Sequence, residues 1–209
     1  MKYIFSCISL FLLVFIAGCS YNNIYNTTDY DIQLTKVEHP KDSLDHEVIT
    51  SKNLKYEDNK ISVTWIPRGD SFRFTLENKS DSSIKIVWDD CVFVDENGIN
   101  HKTIHSGIKF IDRNNSQPPS TIIKGGKIID EISPSDYIAW QDYPYSGWVT
   151  TRIFPDNLVS DGIEKQNRIE TANSYIGKIF KVVLSLYSEG INNEYIFIFQ
   201  IKKFEVKRL

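Results

Sequence analysis

Two histidines have the spacing in this chain that comes nearest to a metal site. His101 and His105 are four residues apart in the segment HKTIH. On a helix the two imidazoles would share one face about 6 Å apart, as two ligands of one ion require. On a strand they would also share a face, but about 13 Å apart, out of reach of one ion. Because the flanking sequence predicts a strand, we expect no metal and no other cofactor here.

Paired acidic residues can serve acid-base or calcium chemistry, and the chain has two such pairs, Asp89-Asp90 and Asp95-Glu96. Neighbouring positions on a strand point to opposite faces, and acidic residues in turns are commonly solvated, so neither pair is expected to form a site. The sequence has no Gly-x-Ser-x-Gly elbow, no phosphate-binding loop and no dinucleotide-binding fingerprint. We therefore expect a protein that is not an enzyme and has no catalytic residues.

An aromatic segment is the remaining candidate for a binding surface. Two of the four tryptophans and three of the eleven tyrosines fall within the twelve residues 137–148. Such side chains supply large, rigid contact area with a polar tip, so they can anchor a protein partner or stack on sugar rings. The alternative is that the rings fold back and seal the end of a sandwich. Pro144 and Gly147 favour a loop here. The candidate contact residues are Tyr137, Trp140, Tyr143, Tyr145 and Trp148.

The elements that would position these side chains are short strands. From Lys52 onward apolar and polar residues alternate in several segments, and this period of two predicts strands with one buried face. The first three segments predict a meander, the last two a closing hairpin, and Asn97-Gly98 and Gly125-Gly126 predict tight hairpin turns. The alternating positions are Ile61/Val63/Trp65, Phe72/Phe74/Leu76, Ile84/Ile86/Trp88, Phe180/Val182/Leu184/Leu186 and Tyr195/Phe197/Phe199/Ile201.

These signals predict an all-β fold, an antiparallel β-sandwich with at most one short helix. The only helix expected lies between Asp161 and Tyr175, where apolar residues are sparse. Residues 72–98, which run strand, turn, strand, resemble the immunoglobulin-like accessory domains of bacterial envelope proteins. That resemblance implies an immunoglobulin-like sandwich and carries over no catalytic or binding residues.

The first twenty residues are a short apolar segment that ends close to a cysteine. A single charge at Lys2 precedes an apolar run of fourteen residues, which fits a secretory signal and is short for a transmembrane helix. The run closes on IAGC, so the segment resembles the signal peptide and lipobox of a bacterial lipoprotein. The resemblance covers residues 1–20 and implies cleavage after Gly18, with Cys19 carrying a diacylglycerol thioether and an amide-linked acyl chain. An ordinary signal peptide that releases the protein is the alternative.

The lipobox also implies a location. Two or three acyl chains give a stable anchor, whereas one chain binds a membrane only marginally. In enteric-type lipoproteins an Asp after the modified cysteine favours the inner membrane, so Ser20 implies the outer membrane. We expect a protein of the bacterial cell envelope that contacts the membrane through the acyl chains on Cys19.

The chain divides into three parts on this interpretation. Residues 1–18 form the signal peptide, residues 19–50 an acylated N-terminus and flexible tether, and residues 51–209 a single β-sandwich domain. The tether is expected because its segment is polar, rich in Asn and Thr, and without a sustained apolar period. One short strand before Pro40 is the alternative.

Charge and cysteine content narrow the range of partners. The net charge of −3 becomes −4 once Lys2 leaves with the signal peptide, so no basic surface for nucleic acid is expected. Cys7 leaves as well and Cys19 is committed to lipid, so Cys91 has no partner for an intramolecular disulfide. Because Cys91 lies in the apolar segment CVFV, we expect a buried core thiol.

Two classes of function follow. The first is a lipid-anchored accessory or assembly module that binds another envelope protein. The second is a lipid-anchored binder of a carbohydrate or small ligand through residues 137–148. The first is favoured because a single aromatic cluster on a sandwich is weak evidence for sugar binding.

Overall fold

Fourteen strands and one α-helix, α1 (Ile163–Tyr175), make up most of the described chain. The computed structural model describes residues 25–39, 53–144, 146–156 and 159–209. The strands are β1 (Tyr25–Glu38), β2 (Lys55–Glu57), β3 (Ile61–Pro67), β4 (Phe72–Asn78), β5 (Ile84–Ile86), β6 (Val92–Val94), β7 (Asn100–His105), β8 (Ser120–Ile122), β9 (Lys127–Pro134), β10 (Ile138–Gln141), β11 (Gly147–Thr150), β12 (Val159–Ser160), β13 (Ile179–Ser188) and β14 (Ile191–Arg208).

Twelve of the strands form one continuous antiparallel sheet in the order β12-β1-β14-β13-β6-β7-β9-β4-β3-β2, with β5 beside β13 and β8 beside β5. Strand β7 joins the two halves of this sheet, because its first three residues pair with β6 and its last three with β9. The sheet curls at β7, and its two halves face one another. The predicted fold class, an antiparallel all-β sandwich with at most one short helix, is confirmed.

The core lies between the two halves and is dominated by aromatic rings. Trp65 of β3 packs on Phe197 and Phe199 of β14, with ring centroids 4.9 and 5.5 Å apart. Phe72 of β4 lies 4.9 Å from Phe199 and 5.9 Å from Phe93 of β6. All five side chains are buried. The apolar positions that alternate in the sequence therefore fill the space between the layers.

Strands β13 and β14 form the closing hairpin that the sequence predicts. Their register runs from Ile179 opposite Gln200 to Ser188 opposite Ile191. The connecting residues Glu189 and Gly190 both have positive φ, 53° and 83°. The same strand β14 pairs on its other edge with β1, so it lies in the interior of the sheet.

The predicted meander is correct for β3 and β4 and wrong for β5. Strands β3 and β4 pair along their whole length, but β5 leaves this half of the sheet and pairs with β13 and β8. Trp88 follows β5 in a short 3-10 helix. The buried Asn78 side chain donates to the carbonyls of Ser82 and Ile122, at 2.7 and 2.9 Å, where the chain crosses over. An alternating pattern specifies a strand and its buried face, but not which strand lies beside it.

The predicted hairpin at Gly125-Gly126 is wrong. A turn forms there, since the Gly126 amide donates to the carbonyl of Ile123 at 2.8 Å. The flanking strands do not pair with each other, because β8 pairs with β5 while β9 pairs with β4 and β7. Backbone hydrogen bonds of 2.9 Å from Asn78 to Gly126 and from Gly125 to Asn78 hold this turn against the end of β4. The turn connects the two halves of the sheet.

The hairpin at Asn97-Gly98 does form, between β6 and β7, with a loop of residues 95–99 in place of the tight two-residue turn. Gly98 has a φ of +81°. The Asp95 carboxylate accepts the amides of Asn97 and Ile99 at 2.9 and 2.8 Å. The Asp95 side chain therefore holds the longer loop together by accepting hydrogen bonds from its backbone, as in an Asx turn.

The flexible tether predicted for residues 19–50 is wrong over residues 25–38, which form β1. This strand pairs with β14 through nearly its whole length and buries Leu34 and Val37. The register shifts at two places along β1, so its apolar residues do not keep a strict period of two. Backbone pairing, rather than a regular apolar face, holds this segment in the sheet. Residues 19–24 and 40–50 of the predicted tether lie outside the described residues, as do the signal peptide and Cys19.

The predicted helix is present as α1, and it packs against the sheet with few apolar residues. Its buried side chains are Arg168 and Ala172. The Arg168 guanidinium donates through Nη1 to the carbonyl of Pro155. A buried polar contact thus takes the place of part of the apolar stripe expected of a surface helix.

Candidate functional site

The aromatic segment forms a small hairpin of its own. Strand β10 pairs with β11 in a two-stranded sheet that is separate from the main one. Trp140 and Trp148 are directly opposite each other in this hairpin. The loop predicted from Pro144 and Gly147 is therefore limited to the tip, and Gly147 already belongs to a strand. Cross-strand pairing places the two indoles side by side.

Two of the aromatic side chains at this hairpin are open to solvent. Trp140 is 52% exposed and Tyr143 is 85% exposed, while Trp148 is half-buried. The indole rings of Trp140 and Trp148 are 5.5 Å apart at an interplanar angle of 77°. The alternative that this segment seals the core is therefore wrong for Trp140 and Tyr143. Tyr145 lies outside the described residues.

Tyr137 faces the core instead. It is half-buried in the short 3-10 helix before β10, and its ring lies 5.0 Å from that of His101 and 6.4 Å from that of Phe93. Burial raises the pKa of Tyr137 to about 12, and nearby carboxylates add to the effect. The alternative that the segment covers the core is therefore correct for Tyr137. The predicted contact residues thus include one side chain that packs on the core and others that are exposed.

The loop after β7 extends the exposed group around Trp148. The Phe110 ring meets Trp148 edge to face at 6.1 Å. The Arg113 guanidinium lies 4.9 Å from the centre of the Trp148 ring, a cation–π distance. Arg113 also donates to the carbonyl of Phe110 at 3.1 Å, which fixes the cation in place. We define the hairpin surface as Trp140, Tyr143, Trp148, Phe110 and Arg113.

Phe110 and Arg113 did not stand out in the sequence as candidate site residues. The only local signal is the pair of apolar residues in FIDR, within an otherwise polar loop. Ile111 of this loop is exposed as well. No spacing rule connects residues 110–113 with residues 140–148, because the contact is tertiary.

The base of the hairpin is fixed to the sandwich. Ile138 is buried, and the Thr151 amide donates to the carbonyl of Tyr137 at 2.8 Å. Just beyond the hairpin, the Ile153 amide donates to the carbonyl of Gly69 at 2.7 Å. Gly69 lies in the turn between β3 and β4, so the hairpin is held from both of its ends against the main sheet.

The polar atoms of the hairpin tip bond to one another. Trp140 Nε1 donates to the Asp142 carboxylate at 2.7 Å, and Ser146 Oγ donates to the Asp142 carbonyl at 2.9 Å. The Gln141 side-chain amide donates to the carbonyl of Tyr143 at 2.7 Å. Because the indole N–H of Trp140 has a partner within the hairpin, what this ring offers a ligand is its apolar surface.

His101 lies on β7, as predicted, and contacts two carboxylates. Its Nδ1 is 2.8 Å from the Asp136 carboxylate and its Nε2 is 3.5 Å from that of Asp95. Burial alone would raise the pKa of Asp95, but the amides of Ile99 and Asn97, together with the His101 ring, hold it below its usual range. His101 thus ties the β6–β7 loop to the segment that leads into the hairpin.

His105 makes a different set of contacts. Its ring stacks on Trp88, with centroids 4.2 Å apart at 6°, and its Nδ1 is 3.2 Å from the Asp130 carboxylate. Ser106 Oγ donates to the other oxygen of the same carboxylate at 2.6 Å. The two histidines therefore belong to separate clusters. In the ranges that the structure describes, no group of three or more His, Cys, Asp or Glu is placed to hold a metal ion.

The acidic pairs of the sequence take part in local structure. Asp95 closes its loop, and the Asp89 carboxylate accepts from Ser116 Oγ and from the amide of Gln117. The hydrogen bond from Ser116 is the main cause that lowers the pKa of Asp89. Each carboxylate thus stabilises a loop connection rather than forming a shared site with its neighbour in the sequence.

Cys91 is a buried thiol, as the sequence predicts. Burial raises its pKa to about 12. The reactive thiolate is therefore scarce at neutral pH, and the side chain acts as a small apolar residue of the core.

No protein family, curated protein or solved structure matches this chain. These comparisons therefore give no support to the resemblance of residues 72–98 to immunoglobulin-like domains. The fold class that the structure establishes is an antiparallel sandwich. Among the residues that the structure describes, no helix is both long enough and apolar enough to cross a bilayer.

Proposed function

We propose that this protein is a lipoprotein of the bacterial cell envelope, held in the outer membrane by acyl chains on Cys19, and that its sandwich is a non-catalytic module that binds another envelope protein. The observation that carries the binding role is the hairpin surface, where Trp140 and Tyr143 project into solvent from a base fixed to the sandwich. The lipobox in residues 1–20 supports the location.

The composition of the hairpin surface favours a protein partner. Tryptophan, tyrosine and arginine are the residues that most often dominate the binding energy of protein interfaces. Here Trp140, Tyr143 and Arg113 occur together with Trp148 and Phe110. A rigid base keeps the entropy cost of ordering these side chains on binding low.

The ring geometry also favours a protein over a glycan. A flat sugar ring stacks best on a flat aromatic platform, whereas the two indoles are nearly perpendicular at 77°. The guanidinium of Arg113 lies against one of them, Trp148, at 4.9 Å. The result is a surface on which the aromatic rings do not lie in one plane, and such a surface suits the side chains of a protein partner better than a continuous sugar chain.

Binding of a carbohydrate or small ligand remains the second candidate because the largely exposed ring of Trp140 alone offers one stacking face. Tryptophan fluorescence of the purified mature protein, titrated with soluble cell-wall glycan fragments, tests this. A saturable shift that is lost in Trp140→Phe/Tyr143→Ala would support the glycan and contradict the protein partner as the main ligand.

The protein partner is tested by a photoreactive phenylalanine analogue placed at position 143 in intact cells. Tyr143 is almost fully exposed, so the replacement leaves the fold in place. The same analogue at Tyr187, an exposed tyrosine of β13, is the matched control. We expect one discrete adduct from position 143, identified by mass spectrometry, and its loss when Trp140→Ala is added. An adduct that forms equally from position 187, or that survives Trp140→Ala, would contradict this surface as the binding site.

The anchor is tested separately. In Cys19→Ser, incorporation of labelled fatty acid and retention in the membrane fraction should both be lost, because the thiol that takes the lipid is absent. A Cys7→Ser variant is the matched control, since Cys7 lies within the signal peptide. Unchanged labelling of Cys19→Ser would remove the lipoprotein interpretation.

A further inference from the structure

The position of Tyr25 limits how the domain can be oriented on a membrane. Tyr25 is the first residue of β1 and lies six residues after Cys19 in the sequence. Six residues span at most about 20 Å even when fully extended. With acyl chains on Cys19 embedded in a bilayer, Tyr25 stays within that distance of the lipid headgroups. This step rests on the lipidation proposed above.

The opposite end of the sandwich lies much farther away. Strands β1 and β14 are antiparallel, with Asn26 opposite Arg208 and Glu38 opposite Ile196. Ile191 begins β14 and Arg208 ends it, so the whole length of this strand separates the two residues. At about 3.3 Å per residue the eighteen residues of that strand extend over roughly 55–60 Å. The molecule therefore has an anchor end at Tyr25 and a far end at Ile191.

Exposed apolar side chains cluster at the anchor end. The Leu209 amide donates to the carbonyl of Tyr25 at 2.9 Å, and Tyr25 is paired with Ser160 of β12. Ile163 begins α1 three residues later. Ile163 is 80% exposed, Leu209 is 71% exposed and Tyr25 is 43% exposed. We define the anchor-end patch as Tyr25, Ile163 and Leu209.

The charged side chains around this patch carry no excess of positive charge. Asp161 accepts from the Asn26 amide at 2.8 Å and lies 3.5 Å from Lys165. Lys207 forms an ion pair with Asp29. The basic residues of this end are outnumbered by the acidic ones, and these are Lys165, Lys207 and Arg208 against Asp29, Asp161, Glu164 and Glu205, which lies opposite Asp29. Apolar contact, rather than attraction to anionic lipid, is therefore the dominant interaction available to the anchor-end patch.

We infer that the anchor-end patch rests in the interfacial layer of the phospholipid bilayer that holds Cys19. A tyrosine beside two aliphatic side chains is the chemistry that suits the boundary between headgroups and acyl chains. The short connection to Cys19 holds this end against the membrane, and the three side chains are exposed on neighbouring segments at that end. The bilayer orients the sandwich, and the end at Ile191 points away from it.

The test compares two exposed isoleucines at opposite ends. Full-length protein carrying Ile163→Cys or Ile191→Cys is produced with its lipid, labelled with a fluorophore and reconstituted into phosphatidylcholine vesicles that contain a shallow spin-labelled lipid. Ile191 is 59% exposed, so both sites accept the label without disturbing the core. Cys91 is buried and does not compete for the label. Mass spectrometry confirms acylation of each sample before the measurement.

We expect quenching at position 163 to be severalfold stronger than at position 191. It should decrease when Leu209→Glu and Tyr25→Glu are added, and it should change little between low and high salt, because this end has no excess of positive charge to attract lipid. Equal quenching at both positions, or none at either in protein of confirmed acylated mass, would overturn the inference while leaving the lipid anchor intact. An unacylated mass would overturn the anchor and the orientation together.

Discussion

Two pairs of tryptophans occupy opposite environments in this protein. Trp65 and Trp88 are buried between the two halves of the sheet. Trp140 and Trp148 stand opposite each other on the hairpin, and the first of them is largely exposed. Both pairs lie on or directly beside strands. What separates them is whether a second layer of sheet covers the strand, and this decides whether an indole stabilises the fold or offers a surface.

The indole N–H groups of Trp65 and Trp140 also differ, whereas that of Trp88, the other buried tryptophan, donates to Ser120 Oγ at 2.9 Å. Within the described part of the chain, Trp65 Nε1 is buried and has no hydrogen-bond partner, whereas Trp140 Nε1 donates to Asp142 at 2.7 Å. The core tolerates an unpaired N–H because the ring packs on Phe197 and Phe199. The gain from packing outweighs the cost of that one polar group.

The largest effect is expected for Trp65→Ala. Removing this side chain leaves a large cavity between the layers, so the free energy of unfolding should fall by about 3–5 kcal/mol. Urea denaturation followed by far-ultraviolet circular dichroism measures it. Trp65→Phe is the control, because it keeps an aromatic ring and removes the unpaired N–H, and it should cost clearly less. A loss of under about 1 kcal/mol for Trp65→Ala would mean that the two halves of the sheet are not packed as described.

The next largest effect is expected for Asn78→Ala. The buried Asn78 side chain donates to the carbonyls of Ser82 and Ile122 and accepts from the Ser80 amide at 3.0 Å. Its loss leaves buried backbone groups unpaired where the chain crosses between layers, at a cost of about 2–3 kcal/mol. The same urea titration measures it, with the exposed Asn114→Ala as the matched control. Similar stabilities of the two variants would show that the crossover does not depend on this side chain.

The alternation of apolar residues allowed much of the fold to be predicted. It identified β3, β4, β13 and β14 and their buried faces, because the period of two is a local property. It did not reveal that β5 pairs with β13 or that β8 and β9 separate, since pairing is decided by contacts between distant segments. It also failed for β1, where two register shifts interrupt the period.

The candidate site was predictable only in part. The aromatic residues were visible as a cluster in the sequence, but not the split between Tyr137, which packs on Phe93, and Trp140, which is exposed. That split depends on where the hairpin leaves the sandwich. Arg113 joins the site from a loop about 35 residues away in the sequence, through a contact that no spacing rule describes.

A smaller, pH-dependent effect is expected in the loop between β6 and β7. The pKa of Asp95 lies below its ordinary value of 3.8 because amide and histidine hydrogen bonds outweigh the effect of burial. A carboxyl with a lowered pKa stabilises the folded state when ionised, so this contribution is complete above the ordinary value and is lost as the pH falls through the folded-state pKa.

Asp95→Asn tests this effect, because the amide cannot carry the charge. We expect wild type to exceed Asp95→Asn in unfolding free energy by about 1–2 kcal/mol at neutral pH. The difference should shrink as the pH falls below the ordinary value of 3.8. Urea titrations at several pH values measure it. A difference that stays constant across that range would mean that Asp95 contributes through shape rather than charge.

The smallest effect on stability is expected for Trp140→Ala, and it sharpens the contrast with Trp65. Trp140 is 52% exposed and its hairpin pairs with no other strand, so the unfolding free energy should change by no more than about 0.5 kcal/mol. If the hairpin surface is a binding site, the same variant should still lose the adduct formed from position 143. A substitution that barely changes the unfolding free energy but abolishes the adduct identifies a side chain that contacts the partner and not the core. A large loss of stability would instead place Trp140 with Trp65 as part of the core, and the binding surface would have to be sought elsewhere.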